Sequence, residues 1–394
     1  MISVSEALAR ILALATPLDA ETVPLADAAG RVLAQDVTSN ITQPPFTSSA
    51  MDGYAVIYSE AQTGMTLEVV GESAAGKRYD TTLNSGEAVR IFTGAPVPEG
   101  ADSILIQEDA DRIGDVITVR ENRDTKKYVR PAGGDFAKGD VVSAPRRLTP
   151  ANVALLASMN IANVPVMRKP VIALISTGNE LVMPGEVPNS DQIISSNSFG
   201  LKALFEAQGA SVRIMPIARD TSESLQQAFD LAKGADLVVT LGGASVGDHD
   251  LVQSVAIENG LELDFYKVAM RPGKPLMAGR INGAAMVGLP GNPVSSMVCG
   301  HIFLRPLIDA MLGLPATPLL RETGVLGEAM QANSNREHYM RAIAKPSANG
   351  WTVMPFDRQD SSLLSVLGDA DCLMVREAND PARAIGEPIS FIRI

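Results

Sequence analysis

Apolar positions along the chain change their spacing several times. Near the start, Val4, Leu8, Ile11, Leu12 and Ala15 recur at helical intervals, and Ser3 and Glu6 have capping-box spacing. An amphipathic helix is expected there. From 44 to 140 the pattern shortens to strand-like runs such as "TLEVVG", "EAVRIF", "SILIQED" and "VITV". Turn-rich stretches, "GAPVPEG" and "RPAGGDFAKGD", separate them, so a small all-β unit is expected. "LTPANVALLASMN" then reads as a helix with Thr149 as N-cap and Pro150 at its first position. If it returns against residues 1–43, the β unit is an insertion.

From Val171 onward, apolar runs ("VIALIS", "VRIMPIA", "DLVVTLG", "LDFYKVAM", "AAMVGLPG") alternate with helical stretches near 197–208, 222–233, 249–259 and 294–312. That alternation predicts βαβ units and a mostly parallel sheet covered on both faces. Past 318, "WTVMPF", "CLMVRE" and "ISFIRI" predict a small β-barrel or sandwich. The expected fold class is therefore α/β multidomain. Its expected divisions are 1–43 with 141–170, then 44–140, 171–317 and 318–394.

Composition narrows the function. The chain has 394 residues, 46% hydrophobic and 20% charged, with a net charge of -12. Such a surface disfavours nucleic acid and anionic membranes as general partners, so any anion site must be local. No apolar run is long enough to span a bilayer. "MISVSEALARILALA" lacks the basic segment and cleavage site of a signal peptide. With Cys299 and Cys372 both in apolar contexts, a cytoplasmic protein is expected. Three histidines and no cysteine pair argue against zinc.

In open α/β sheets, ligands bind at the carboxyl ends of the strands. Those ends here carry Ser176-Thr177-Gly178-Asn179-Glu180, Arg219-Asp220, Gly242-Gly243-Ala244-Ser245-Val246-Gly247-Asp248, Arg271-Pro272-Gly273-Lys274-Pro275 and Pro290-Gly291-Asn292-Pro293-Val294-Ser295-Ser296. "GGASVG" lets backbone N–H groups approach an anion, and "GNPVSS" opens a helix. Lys267, Arg271 and Lys274 supply positive charge, while Glu180, Asp220, Asp248 and Asp250 supply negative charge. Both signs together suit a polyphosphate-like ligand with Mg²⁺; an ordinary ion-pair network is the plainer alternative. Gly243 to Gly247 also matches the nucleophile elbow G-x-S-x-G, but neither His301 nor His338 sits in an evident strand-end loop. There is no Walker A motif, since Gly273-Lys274 is followed by Pro275, and no G-x-G-x-x-G. Asp52, in "PPFTSSAMDGYAV", is either turn chemistry or a site acid.

The strings "PPFTSSAMDGYAV", "RIFTGAPVPEGAD", "STGNEL", "GGASVGDHD", "MRPGKP" and "LPGNPVSS" occur in an order that closely resembles one family, the molybdopterin molybdenumtransferases of molybdenum-cofactor synthesis. The resemblance implies four domains and a homodimer with its active site shared between subunits. It also implies insertion of the substrate molybdate into adenylylated molybdopterin with release of AMP. It assigns pterin-substrate binding to Thr177, Gly178, Glu180, Asp220, Gly242, Gly243, Ser245, Asp248, Asp250, Pro290, Asn292 and Pro293. Glu180, Asp220 and Asp250 would hold Mg²⁺. Molybdate would sit near Arg271, Lys274, Ser295, Arg341, Ser361 and Ser362. Catalytic roles fall on Asp52, Thr93, Asp135, Lys267 and Lys274. Thr47, Asn179 and Gly134 stand where the family often has acids. An adenylyltransferase, whose fold resembles 171–312 alone, and a non-catalytic scaffold are the alternatives; an adenylyltransferase is also a possible partner protein.

Overall fold

A computed structural model describes residues 1–243, 251–347 and 350–394. The chain forms two compact units, one of residues 22–165 and one of residues 1–21 with 166–394.

In the first unit, the expected strand runs build one six-stranded sheet. Its order is Ser103–Ile106, Gly53–Val56, Glu87–Ile91, Thr66–Ser73, Val116–Val119, Ala110–Ile113. Period-two alternation gives it two cores: Tyr54 and Val56 pack with Leu67, Leu105 and Ile117, whereas Ala55 packs with Leu83, Val89, Ile91 and Ile104. Gly53 opens the strand because a β-carbon there would lie 2.0 Å from the Leu105 carbonyl oxygen. The ends of this segment meet again, Val37–Thr38 pairing with Val141–Val142 and Val32–Leu33 with Arg146–Arg147. Helix Pro150–Ser158 is capped by Thr149 and Asn152 in a full capping box with Pro150 in its first turn. The chain after it returns on residues 25–40, Leu25 N–H donating to the Ala162 carbonyl at 2.9 Å.

In the second unit, helix Val4–Leu12 buries Val4, Ala7, Leu8 and Ile11. Its capping box is half made. The Ser3 hydroxyl accepts from Glu6 N–H at 3.1 Å, while the Glu6 carboxylate pairs with Arg10 at 2.7 Å instead of returning to Ser3. The α/β sheet has the order Ser211–Ile214, Val171–Ser176, Leu237–Leu241, Ala284–Leu289, Met277–Ile281, Leu261–Tyr266. The first four are parallel. Met277–Ile281 runs antiparallel to both its neighbours, so Leu261–Tyr266 points the same way as the parallel set. All five expected strand ends therefore open on one edge, although the sheet is less uniformly parallel than its pattern suggested. Helices Asn197–Ala207, Ser222–Ala232 and Leu251–Glu258 lie near the expected positions. The 294–312 stretch divides into Pro293–Cys299, a π-helical turn Gly300–Leu304 and Arg305–Met311.

The C-terminal strands close into a barrel. Glu337–Ser347 pairs with Gly350–Pro355, which pairs with Glu322–Leu326, then Pro388–Arg393, then Cys372–Arg376, which returns to Glu337–Ser347. Leu326, Met340, Ala342, Val353, Cys372, Met374 and Phe391 fill it. Cys299 and Cys372 are both free and buried, and burial pushes the Cys372 thiol up to about 12.

At the opposite edge of the α/β sheet, the Arg168 guanidinium grips Asp236 with two bonds of 2.7 Å, and Val171 N–H adds a third. Burial alone would raise the Asp236 pKa, but these donors win and hold it below the usual carboxylate range. Its stabilisation is present above the unfolded carboxyl pKa and is lost as pH falls through the lower folded value. Arg168→Met should cost on the order of 2 kcal/mol at neutral pH. Denaturant unfolding should show that difference shrinking below about pH 4; a difference that grows on acidification would exclude this role for the pair.

Candidate active site

The carboxyl edge of the α/β sheet borders a cavity of about 750 Å³. Thr177, Gly178, Glu180, Asp220, Gly242, Gly243, Pro290, Asn292 and Pro293 line it together, as do Pro275 of the lysine loop and Ser362 of the barrel. Ser245, Asp248 and Asp250 lie outside the described residues, as does most of the nucleophile-elbow string. Gly243 has φ +65°, and a β-carbon on it would come within 2.1 Å of Val252. The backbone thus turns at the cavity wall where a side chain would block it.

Asp220 and Asn179 clasp each other: Asn179 N–H donates to the Asp220 carboxylate at 3.3 Å, and Asp220 N–H donates to Asn179 Oδ1 at 3.2 Å. With an amide at 179 the clasp adds no second charge beside Asp220. Arg219 Nη1 donates to the carbonyls of Gly178, Asn179 and Leu181 and so fixes the loop that carries Glu180. Glu180 and Asp220 present hard oxygen donors to one cavity, the donor type that Mg²⁺ takes. Among the described residues, no group of three His, Cys, Asp or Glu side chains converges as a metal cage.

The cations gather beyond Pro275. Lys267 and Lys274 stand at opposite ends of a small loop closed by Lys267 N–H to the Leu276 carbonyl (2.9 Å) and Val268 N–H to the Lys274 carbonyl (3.0 Å). Lys267 has φ +74° and its ammonium lies 4.7 Å over the Tyr266 ring. Met270–Arg271 adds to the barrel as a parallel strand, with Arg271 opposite His338. Arg341, on the same barrel strand, is 0% exposed. Its Nη2 donates to the carbonyls of Arg358 (3.2 Å) and Asp360 (2.9 Å), while Nε and Nη1 have no partner among the described residues. Burial pulls its pKa below the usual arginine value; Asp360 opposes this and Arg271 adds to it. His338 Nε2 is likewise buried without a partner among the described residues, and burial, then Arg271 and three further arginines, pull its pKa down to about 3.

The two barrel serines differ. Ser361 Oγ accepts from Asn292 Nδ2 at 3.0 Å, so its own proton is free to donate. The Ser361 carbonyl accepts from Val294 N–H at 3.0 Å, which docks it at the start of helix Pro293–Cys299. Ser362 spends its hydroxyl proton on Asp360, at 2.6 Å. Of the expected pair, Ser361 thus keeps a hydroxyl proton to donate, whereas Ser362 is the one that lines the cavity. Ser295 is 4% exposed inside its helix.

In the other unit, the Asp52 carboxylate accepts from Thr93 N–H (2.7 Å) and from the Thr93 hydroxyl (2.8 Å). Those two bonds, in that order, hold its pKa below the usual range, and Arg90 helps. Asp52 is thus an exposed, ionised and oriented acid. The structure brings Asp52 and Thr93 together but sets Asp135 on a separate turn, its N–H on the Gln43 carbonyl at 3.1 Å.

Family models match nearly the whole chain: the MoeA N-terminal region (domain I and II) over 2–160, a probable molybdopterin binding domain over 173–310, and the MoeA C-terminal region (domain IV) over 323–394. The molybdopterin molybdenumtransferase of Haemophilus influenzae is 39% identical, across 79% of this chain and 78% of that protein. The chain belongs to the molybdopterin molybdenumtransferase family. A Mycobacterium tuberculosis relative, molybdopterin molybdenumtransferase 2, is 35% identical over 90% of both chains. The structure of the molybdopterin biosynthesis MoeA protein from Pyrococcus horikoshii superposes with a TM-score of 0.81 at 30% identity, over 100% of this chain and 99% of that one. A second structure from that organism, at 24% identity, shares the fold with a TM-score of 0.84.

Sequence reasoning on this family member passed over Ser195, Ser196 and Asn197, which line the cavity, Asn197 Nδ2 donating to the Gly291 carbonyl at 2.7 Å. The signal was present in "SSNS", a cluster of capping residues before a helix. Thr93→Val removes one of the two donors to Asp52. The Asp52 pKa, followed by carboxyl-carbon NMR, should rise toward the usual carboxylate value without reaching it. An unshifted titration would mean that the hydroxyl bond does not form in solution.

Proposed function

We propose that this chain is the transferase that inserts molybdate into adenylylated molybdopterin and releases AMP. Arg341 carries the reading. A fully buried guanidinium has two nitrogens without a partner among the described residues, and its Nη2 holds the Asp360 carbonyl two residues before the cavity-lining Ser362, an arrangement that suits a tetrahedral oxyanion. Arg341, Arg271, Lys274 and the Ser361 hydroxyl hold molybdate. Their positive charge offsets the repulsion between that dianion and the substrate's pyrophosphate. Glu180 and Asp220 would hold Mg²⁺, which when bound neutralises charge on the phosphoanhydride. The Gly242-Gly243 backbone lies against the phosphates, and the cavity walls orient the pterin-bearing part. An ionised Asp52, locked by Thr93, positions the group that attacks the anhydride.

The division into four domains, a cytoplasmic location and a homodimer belong to the same proposal, as does delivery of substrate by an adenylyltransferase partner. Its decisive test is release of AMP from adenylylated molybdopterin on adding molybdate; consumption of ATP by the purified protein would favour an adenylyltransferase instead.

Lys274→Ala should leave the fold intact and raise the molybdate requirement about ten- to a hundred-fold, as loss of a charge-assisted contact worth ~1.5–3 kcal/mol would. Unchanged molybdate dependence would remove Lys274 from the site. We further propose that Asp52 of one subunit serves the Lys274 loop of the other. Inactive Asp52→Ala and inactive Lys274→Ala, mixed with demonstrated subunit exchange, should regain activity at roughly a quarter of sites, because half the dimers are mixed and each then carries one intact site. If no activity returns, both groups come from the same chain.

A further inference from the structure

A second cavity, of about 340 Å³, adjoins the first. The two share Ser196 and Asn197 at the start of helix Asn197–Ala207. Its other walls are mostly apolar or small: Gly200, Met297, Leu364, Leu367 and Ile394. Among the described residues, no acidic or basic side chain other than a histidine lines it, which argues against a phosphate or an ammonium group as its occupant.

That histidine is His301, 7% exposed, on the π-helical turn Gly300–Leu304. Its Nδ1 lies 3.4 Å from Arg305 Nη1. A guanidinium can only donate, so Nδ1 is the acceptor and the ring proton sits on Nε2. Burial, and then the Arg305 charge, pull the ring pKa down to about 4, so it stays neutral near pH 7. The slot therefore combines sulfur and aliphatic faces with one fixed N–H donor. A flat heterocycle suits such a lining, and one of its ring nitrogens would accept the proton.

We propose that this slot seats a fused nitrogen heterocycle, with His301 Nε2–H donating to a ring nitrogen. Building on the transferase reading above, the ring is either the purine of the adenylyl group or the pterin, the rest of the substrate passing Ser196 and Asn197 into the larger cavity. Apart from Ser196 and Asn197, the residues of this slot, His301 included, do not line the main cavity.

The test is calorimetric binding of AMP, and separately of neopterin, to the full chain and to three variants. Leu364→Trp fills the slot from a position 37% exposed, where a larger side chain is tolerated. His301→Phe keeps a ring but no donor, and His301→Gln restores an N–H. One of the two probes should bind the wild type. Its affinity should fall about tenfold in His301→Phe, as for one lost hydrogen bond. It should recover largely in His301→Gln and vanish in Leu364→Trp. Molybdate binding in the same samples should persist, showing that the fold is intact. The probe that responds identifies the ring. If neither probe binds the wild type, or both bind all variants equally, the slot is not a ring site. Ring binding without molybdate-dependent AMP release would instead overturn the transferase reading and leave the slot standing.

Discussion

A charged guanidinium taken out of water without full compensation is unfavourable, and the protein arranges much of its C-terminal half around one. Arg341 is 0% exposed, yet among the described residues only Nη2 of its guanidinium finds partners, the carbonyls of Arg358 and Asp360. Those two bonds shape the segment just before Ser361 and Ser362. Ser361 then docks on Asn292 and Val294, at the mouth of the α/β sheet. Gln359 reinforces the turn from the other side, bonding both the N–H and the carbonyl of Arg341. The same barrel strand holds Met270–Arg271 in parallel register. One buried cation thus links barrel, lysine loop and cavity wall. Two of its nitrogens, Nε and Nη1, are left buried without a partner among the described residues, an arrangement that costs stability.

Charge separation within the site follows from topology. Carboxylates come from the loops after Val171–Ser176 and Ser211–Ile214, at one end of the sheet. Cations come from the loop after Leu261–Tyr266, the strand at the other end. A ligand lying along the carboxyl edge would meet carboxylates at one end and cations at the other. A chain with a net charge of -12 can concentrate positive potential this way without a basic surface.

Much of this was legible in the sequence because buried parallel strands are continuous apolar runs that end in polar loops. Met277–Ile281 was missed because Gly279 and Arg280 interrupt its pattern, though Asn282-Gly283 after it, both at positive φ, is a strong hairpin signal. The π-helical turn inside 294–312 leaves no trace in apolar spacing. Arg341 came only from family resemblance: on an alternating strand it reads as a solvent-facing residue, and its burial depends on the loop at 356–362. His338 and His301 looked unremarkable for the same reason, since burial against distant elements gives them their character. The division of labour between Ser361 and Ser362 depends on where one hydroxyl proton goes, which no spacing encodes.

We propose that Arg341, buried and incompletely paired among the described residues, binds molybdate. Thermal unfolding with increasing molybdate tests it directly, because a ligand that binds only the folded state stabilises by about 2.7 kcal/mol at a hundred times its Kd. The wild-type midpoint should climb with the logarithm of molybdate concentration, and Arg341→Met, folded by circular dichroism, should show no climb. An Arg341→Met protein stabilised by molybdate as strongly as the wild type would contradict the account.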